Sequence, residues 1–256
     1  VSGDTRQWIG ADSFTSERQL ADELHVGGEI QMVAASENML GVGLYSIEEI
    51  ALYARVSRKL ANRWFFGSKE GGRTITPRII DGKFVSFLDF VQMMAIREIR
   101  QAHRVSLKKI RQLLDIAENE RDIQYPFASK GITFLWGDNL GLKLPDGKMI
   151  EASGMHRRNI LLKEVVVLYK EDLGYDPSGI ANLYHAFKWD DCAVEMNPRL
   201  RFGEPIVKSC GYTAQTLWEA AKDEGSVEGA ARAYGVDKKE VETACRYFDM
   251  LQGKAA

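Results

Sequence analysis

Tyr45-Ser-Ile-Glu-Glu-Ile-Ala-Leu-Tyr-Ala-Arg-Val-Ser-Arg-Lys-Leu-Ala-Asn-Arg-Trp-Phe65 reads as two short helices and the turn between them. Ser46 and Glu49 form a capping box, the hydroxyl and the carboxylate each satisfying an amide that the helix start leaves free. Ile47, Ile50 and Leu52 are the apolar positions of the first helix. After Ala54-Arg55-Val56, Ser57 supplies a second N-cap. Leu60 and Trp64, four apart, aim the second helix at a core. Arg58 with Asn62, and Lys59 with Arg63, then share its outward face.

The same logic extends downstream. Ile80-Asp-Gly-Lys83 carries the Asp-Gly signal of a tight hairpin, with Phe84, Val85 and Phe87 on the returning strand, which predicts a wing. Ser86 caps a helix that is apolar at Leu88, Val91, Ala95 and Ile99. Ser106 caps another, apolar at Leu107, Ile110, Leu113 and Leu114. This unit is expected over residues 39–120. Charge singles it out: the chain carries a net −2, yet Tyr45 to Arg111 holds 14 Lys+Arg against 6 Asp+Glu, a local +8. Cations gathered on one unit are the footprint of a phosphate-binding surface.

Tyr45-Ser-Ile-Glu-Glu-Ile-Ala51, Val56-Ser57 and Arg63-Trp64 together resemble the signature of the MerR family. The resemblance implies a winged helix-turn-helix whose second helix enters the major groove and whose wing rests on the phosphate backbone. Arg58, Lys59, Asn62 and Arg63 would face the groove beside Arg55 in the turn, and Arg78 and Lys83 would be phosphate contacts from the wing. Asn62 stands where an arginine is common in that family, and Arg55 where glycine is frequent. The family's long dimerisation helix and effector domain are missing, which disfavours a metal or drug sensor.

Residues 1–38 hold 2 Lys+Arg against 7 Asp+Glu, a local −5, and read as an acidic arm without a core of its own. Residues 121–190 read as a β-rich connector, with Gly131-Ile-Thr-Phe-Leu-Trp136 and Val165-Val-Val-Leu-Tyr169 as strands and residues 170–190 rich in turns. Residues 191–252 begin with two extended pieces around a Gly/Pro turn at Leu200 to Val207. Three helices follow, opened by Thr213, Ser226 and Asp237, with Gly225 and Gly235 at helix C-termini. The fold expected is mainly α with a β-rich connector, an α+β chain holding two helix-turn-helix units.

Asn197-Pro-Arg-Leu-Arg-Phe-Gly203, Pro205-Ile-Val207, Thr213, Glu224-Gly-Ser-Val-Glu228, Ala231, Tyr234-Gly-Val236, Glu240-Val241 and Ala244 resemble a domain carried by VapB-like antitoxins, which are paired with PIN-type ribonuclease toxins. The resemblance implies that this region covers a nuclease whose carboxylates hold Mg²⁺, where an inserted cation from Arg199 or Arg201 could displace the metal. Trp189 is a candidate aromatic anchor for the same partner. Lys238 and Lys239 could reach DNA from the last unit, but Glu240 and Glu242 beside them favour protein contact.

Other classes find little support. No run approaches the roughly 18 apolar residues of a membrane span, and the leading stretch lacks the pattern of a signal peptide. A cytosolic location is expected. Cys192, Cys210 and Cys245 have neither disulfide nor zinc spacing. His25, His103, His156 and His185 lack partners at catalytic spacing, so no enzyme, metal or cofactor is expected. His156-Arg157-Arg158 is a small basic patch. The function expected is a DNA-binding antitoxin that neutralises a PIN-type nuclease and represses its own operon, acting as a homodimer or larger assembly. The alternatives are a MerR-like regulator without a toxin and a protein-only adaptor.

Overall fold

Capping chemistry sets the helix starts throughout the computed structural model, which describes residues 43–67, 72, 74–75, 84–136, 139–151, 166–167 and 171–253. Strand β1 (Gly43–Ser46) runs into helix α1 (Ile47–Tyr53). At the junction the Glu49 amide donates to Ser46 Oγ at 3.2 Å and the Ser46 amide donates to Glu49 Oε2 at 2.7 Å. Helix α2 (Arg58–Phe66) starts at Ser57, whose Oγ accepts from the Leu60 amide at 3.2 Å, without the returning carboxylate bond. Strand β2 (Phe84–Ser86) pairs antiparallel with β1 and feeds helix α3 (Phe87–Ala102), whose first turn is closed by Ser86 and the buried Asp89. Helices α1 and α3 therefore leave one two-stranded ribbon. Phe87, expected on the returning strand, is instead the first residue of α3 and fully buried, because the Ser86 cap ends the strand one residue earlier. The hairpin expected at Ile80–Lys83 lies outside the described residues.

Helix α4 (Leu107–Asp115) continues as one π-helical turn, Ile116–Glu120. Strands β3 (Thr133–Trp136), β4 (Asn139–Lys143), β5 (Met149–Glu151) and β6 (Val166–Val167) form an antiparallel sheet in the order β5-β4-β3-β6. Its β4 packs against α4. A second four-stranded antiparallel sheet, β10-β9-β8-β7, is built from β7 (Leu173–Tyr175), β8 (Ala181–Trp189), β9 (Cys192–Met196) and β10 (Ile206–Val207). Residues 170–190 thus contain a long strand where turns were expected. The β8–β9 hairpin joins residues from both sides of the boundary drawn at 190.

The chain ends with α5 (Ala214–Asp223), α6 (Val227–Tyr234) and α7 (Lys238–Leu251), and α7 lies on β8, β9 and β10. Thr213 and Ser226 cap as expected. Gly225 and Gly235 take φ of 67° and 64°. The fold is mixed α+β, with seven α-helices and three antiparallel sheets among the described residues. None of these helices is long and apolar enough to cross a membrane.

One apolar cluster runs from Tyr45 to Leu251; Ala181 of β8 belongs to it, and Tyr184, Ala186 and Phe187 of the same strand pack against it. A bulge lies between His185 and Phe187, which pair with Glu195 and Val194. The extra residue, Ala186, brings Tyr184 and Phe187 to the same sheet face although they are three apart. From Tyr184 an aromatic series runs to Phe90 (5.7 Å between centroids), Tyr45 (5.8 Å) and Tyr53 (6.3 Å). From Phe187 a second runs to Tyr247 (6.1 Å), Phe248 (5.7 Å) and Trp218 (4.6 Å, stacked). The α1–α3 region and the last three helices are thereby held on one strand.

Candidate nucleic-acid interface

Helix α2 buries Ala61, Trp64 and Phe65 and leaves Arg58, Lys59 and Arg63 exposed. Its angle to α1 is fixed at the turn. The Ala54 amide closes α1 on Ile50 O at 2.8 Å, and Arg97 of α3 donates from Nη1 to Ala54 O at 2.6 Å. Arg55 follows at φ 53°, the left-handed conformation that glycine adopts without strain. Its side chain is exposed.

Two of the four expected groove-facing residues have internal partners. Arg58 Nη2 is ion-paired with Glu48 Oε1 of α1, both side chains being exposed. Asn62 Nδ2 donates to Arg58 O at 3.0 Å and is only half-buried, so its amide is spent on its own helix. Lys59 and Arg63, one turn apart, are exposed on the same face. Arg78 and Lys83 lie outside the described residues. Leu52, read as apolar core of α1, is 38% exposed, because Ile50, Ala51 and Tyr53 already fill the buried side of this short helix.

The three residues expected to meet a protein partner do not come together. Trp189 ends β8 opposite Cys192, whereas Arg199 and Arg201 follow Met196 at the far end of β9. At about 3.3 Å per residue this strand separates them by roughly 15 Å. Arg246 of α7 lies 3.7 Å above the Trp189 ring, a cation–π contact within the molecule. Lys238 and Lys239 are also engaged, with Glu228 at 2.6 Å and Asp190 at 2.7 Å respectively.

The turn at Arg199 to Gly203 is not the extended piece its sequence suggests. Arg201, Phe202 and Gly203 take φ of 48°, 55° and 85° in succession. Of the described non-glycine residues at positive φ, namely Arg55, Arg104, Asp122, Asp190, Arg201 and Phe202, only the last two are adjacent. Each left-handed non-glycine residue costs roughly 1–2 kcal/mol. The turn is held nonetheless: the Arg199 amide donates to Asn197 Oδ1 at 2.9 Å, the Gly203 amide to Leu200 O at 2.9 Å, and Tyr45 Oη to Gly203 O at 2.9 Å. A Cβ on Gly203 would sit 2.1 Å from that hydroxyl, so only glycine permits the approach. Arg199, Leu200, Arg201 and Phe202 all point outward, Phe202 being 71% exposed. Sequence reasoning missed Leu200 and Phe202. Their signal was two large apolar side chains beside a glycine in an otherwise charged loop.

Burial holds the tyrosines of this region neutral. It raises Tyr45, with Tyr53, Glu49 and Glu204 adding to the effect, and raises Tyr53, with Glu49 and Glu204 adding. Tyr184 is pushed up to about 12, by burial first and by Asp172 next.

No family model matches the chain, and no curated protein matches it. Among solved structures, the crystal structure of Rv2018 from Mycobacterium tuberculosis is similar, with a TM-score of 0.49 and 18% identity over 79% of this chain and 97% of that one.

Proposed function

We propose that this chain is a DNA-binding antitoxin of the cytosol. In this reading α1, α2 and the β1–β2 ribbon act as a winged helix-turn-helix on double-stranded operator DNA, with two copies reading a palindrome. The carrying observation is the ridge of Arg58, Lys59 and Arg63 on the outward face of a helix whose other face is anchored by Trp64 and Phe65. A buried apolar stripe opposite exposed cations is what a recognition helix needs to be stiff and to meet phosphate and base edges at once. The antitoxin part rests on the resemblance of residues 197–244 to the VapB-like domain.

Gel shifts with the promoter upstream of the gene, at several salt concentrations, test the DNA half. Arg58→Ala with Arg63→Ala is expected to weaken binding and to flatten the logarithmic salt dependence by about 0.9 for each phosphate that is no longer neutralised. An unchanged shift rejects α2 as the recognition helix. Co-expression with the neighbouring reading frame tests the other half: a small nuclease should co-purify and its growth arrest be relieved. DNA binding without complex or rescue leaves a MerR-like regulator. Complex formation without DNA binding leaves a protein-only adaptor.

A further inference from the structure

The Arg199–Gly203 turn spends conformational energy on holding side chains away from the molecule. Folding alone would favour glycine or asparagine at positions 201 and 202, where φ is 48° and 55°, and polar side chains on so exposed a loop. Instead the chain has Arg201 and Phe202 there, after Arg199 and a half-exposed Leu200. Strain of this kind concentrates at functional sites. The turn is also rigid at its base, where Pro198, Gly203 and Pro205 are buried and Tyr45 holds the Gly203 carbonyl. A rigid loop loses little entropy on binding, and an exposed aromatic flanked by arginines has the composition of an interface hot spot.

We infer that Arg199–Phe202 is a preformed docking turn, with Phe202 as anchor, for a protein partner that offers an apolar pocket rimmed by carboxylates. Charge complementarity sets the rim: Arg199 and Arg201 are both exposed on the turn, so the surface that meets them must offer negative charge. Leu200 and Phe202 side by side favour a protein over a phosphate backbone, which offers no apolar pocket. The identity of the partner rests on the proposed antitoxin function, so the occupant is the nuclease of the neighbouring reading frame. Because the Tyr45 hydroxyl contacts the turn and Ser46, the next residue, caps α1, docking bears directly on the DNA-binding region.

The test uses the full-length chain and the purified product of the neighbouring reading frame in a calorimetric titration. Phe202→Ala should weaken association by about thirtyfold or more, with the thermal melt and the operator gel shift unchanged. Arg201→Gly should raise the melting temperature by relieving strain and still weaken association, the opposite of what a merely structural turn would give. If the wild-type chain does not bind that protein, the antitoxin reading falls and the docking turn with it. If the wild type binds and both variants bind equally well, the docking turn alone is overturned. A loss of operator binding in Phe202→Ala without the partner would make the turn a nucleic-acid contact and overturn the inference as well.

Discussion

Arg55 shows how one backbone angle separates stability from function. At φ 53° it bears the strain of a left-handed residue, and glycine would relieve it. Relief of roughly 1–2 kcal/mol, less about 0.5–1 kcal/mol for the entropy of glycine in the unfolded chain, leaves Arg55→Gly more stable by up to about 1.5 kcal/mol. A thermal melt should rise by about 2 °C. If Arg55 reaches phosphate, operator affinity falls in the same variant, and the gel shift reads that loss independently of the melt. The position was readable in advance, since a turn that often holds glycine held arginine. Arg201 and Phe202 were not readable, because nothing local distinguishes a left-handed arginine from an extended one. Besides two bonds within the turn, what holds them is the hydroxyl of Tyr45, 158 positions away from Gly203 in the chain.

Among the elements, helix starts were the most legible feature and strand β8 the least. Caps at Ser46, Ser57, Ser86, Ser106, Thr213 and Ser226 depend on a hydroxyl and an amide three residues on, so local sequence contains the whole interaction. Strand β8 hides because the bulge at Ala186 breaks the alternation that would mark it, leaving a run of aromatic residues without period. The ribbon of β1 and β2 hides for another reason, its strands being separated by two helices. Between α1 and α2 the Glu48–Arg58 pair was also invisible, and it lowers the cationic character of the very face proposed to meet DNA. Glu48→Gln should free Arg58 for phosphate, tightening operator binding and steepening the logarithmic salt dependence by up to about 0.9. Equal slopes for variant and wild type would mean that Arg58 does not touch phosphate.

At the scale of the whole molecule, the shared aromatic core links the fate of its parts. Tyr45, Tyr53, Tyr184 and Tyr247 all have hydroxyls raised above their ordinary value chiefly by burial. Below about pH 10 these groups are neutral in folded and unfolded chains alike, and their contribution to stability is intact. Above it the unfolded chain releases protons that the folded one retains, so stability falls as pH rises, by up to about 1.4 kcal/mol per pH unit for each tyrosine. Denaturant melts at about pH 8 and about pH 11 should give a much lower midpoint at the higher value, with Tyr absorbance changing in the same transition. A flat profile would mean that water reaches these hydroxyls. The bond from Tyr45 to Gly203 has a consequence in time as well. At about 5–20 residues per second, on the order of ten to thirty seconds pass on the ribosome between the synthesis of its two ends. During that interval Tyr45 and Phe90 lack the strand and turn that cover them, so the nascent chain cannot complete its proposed operator-reading surface until almost all of its partner-binding surface exists.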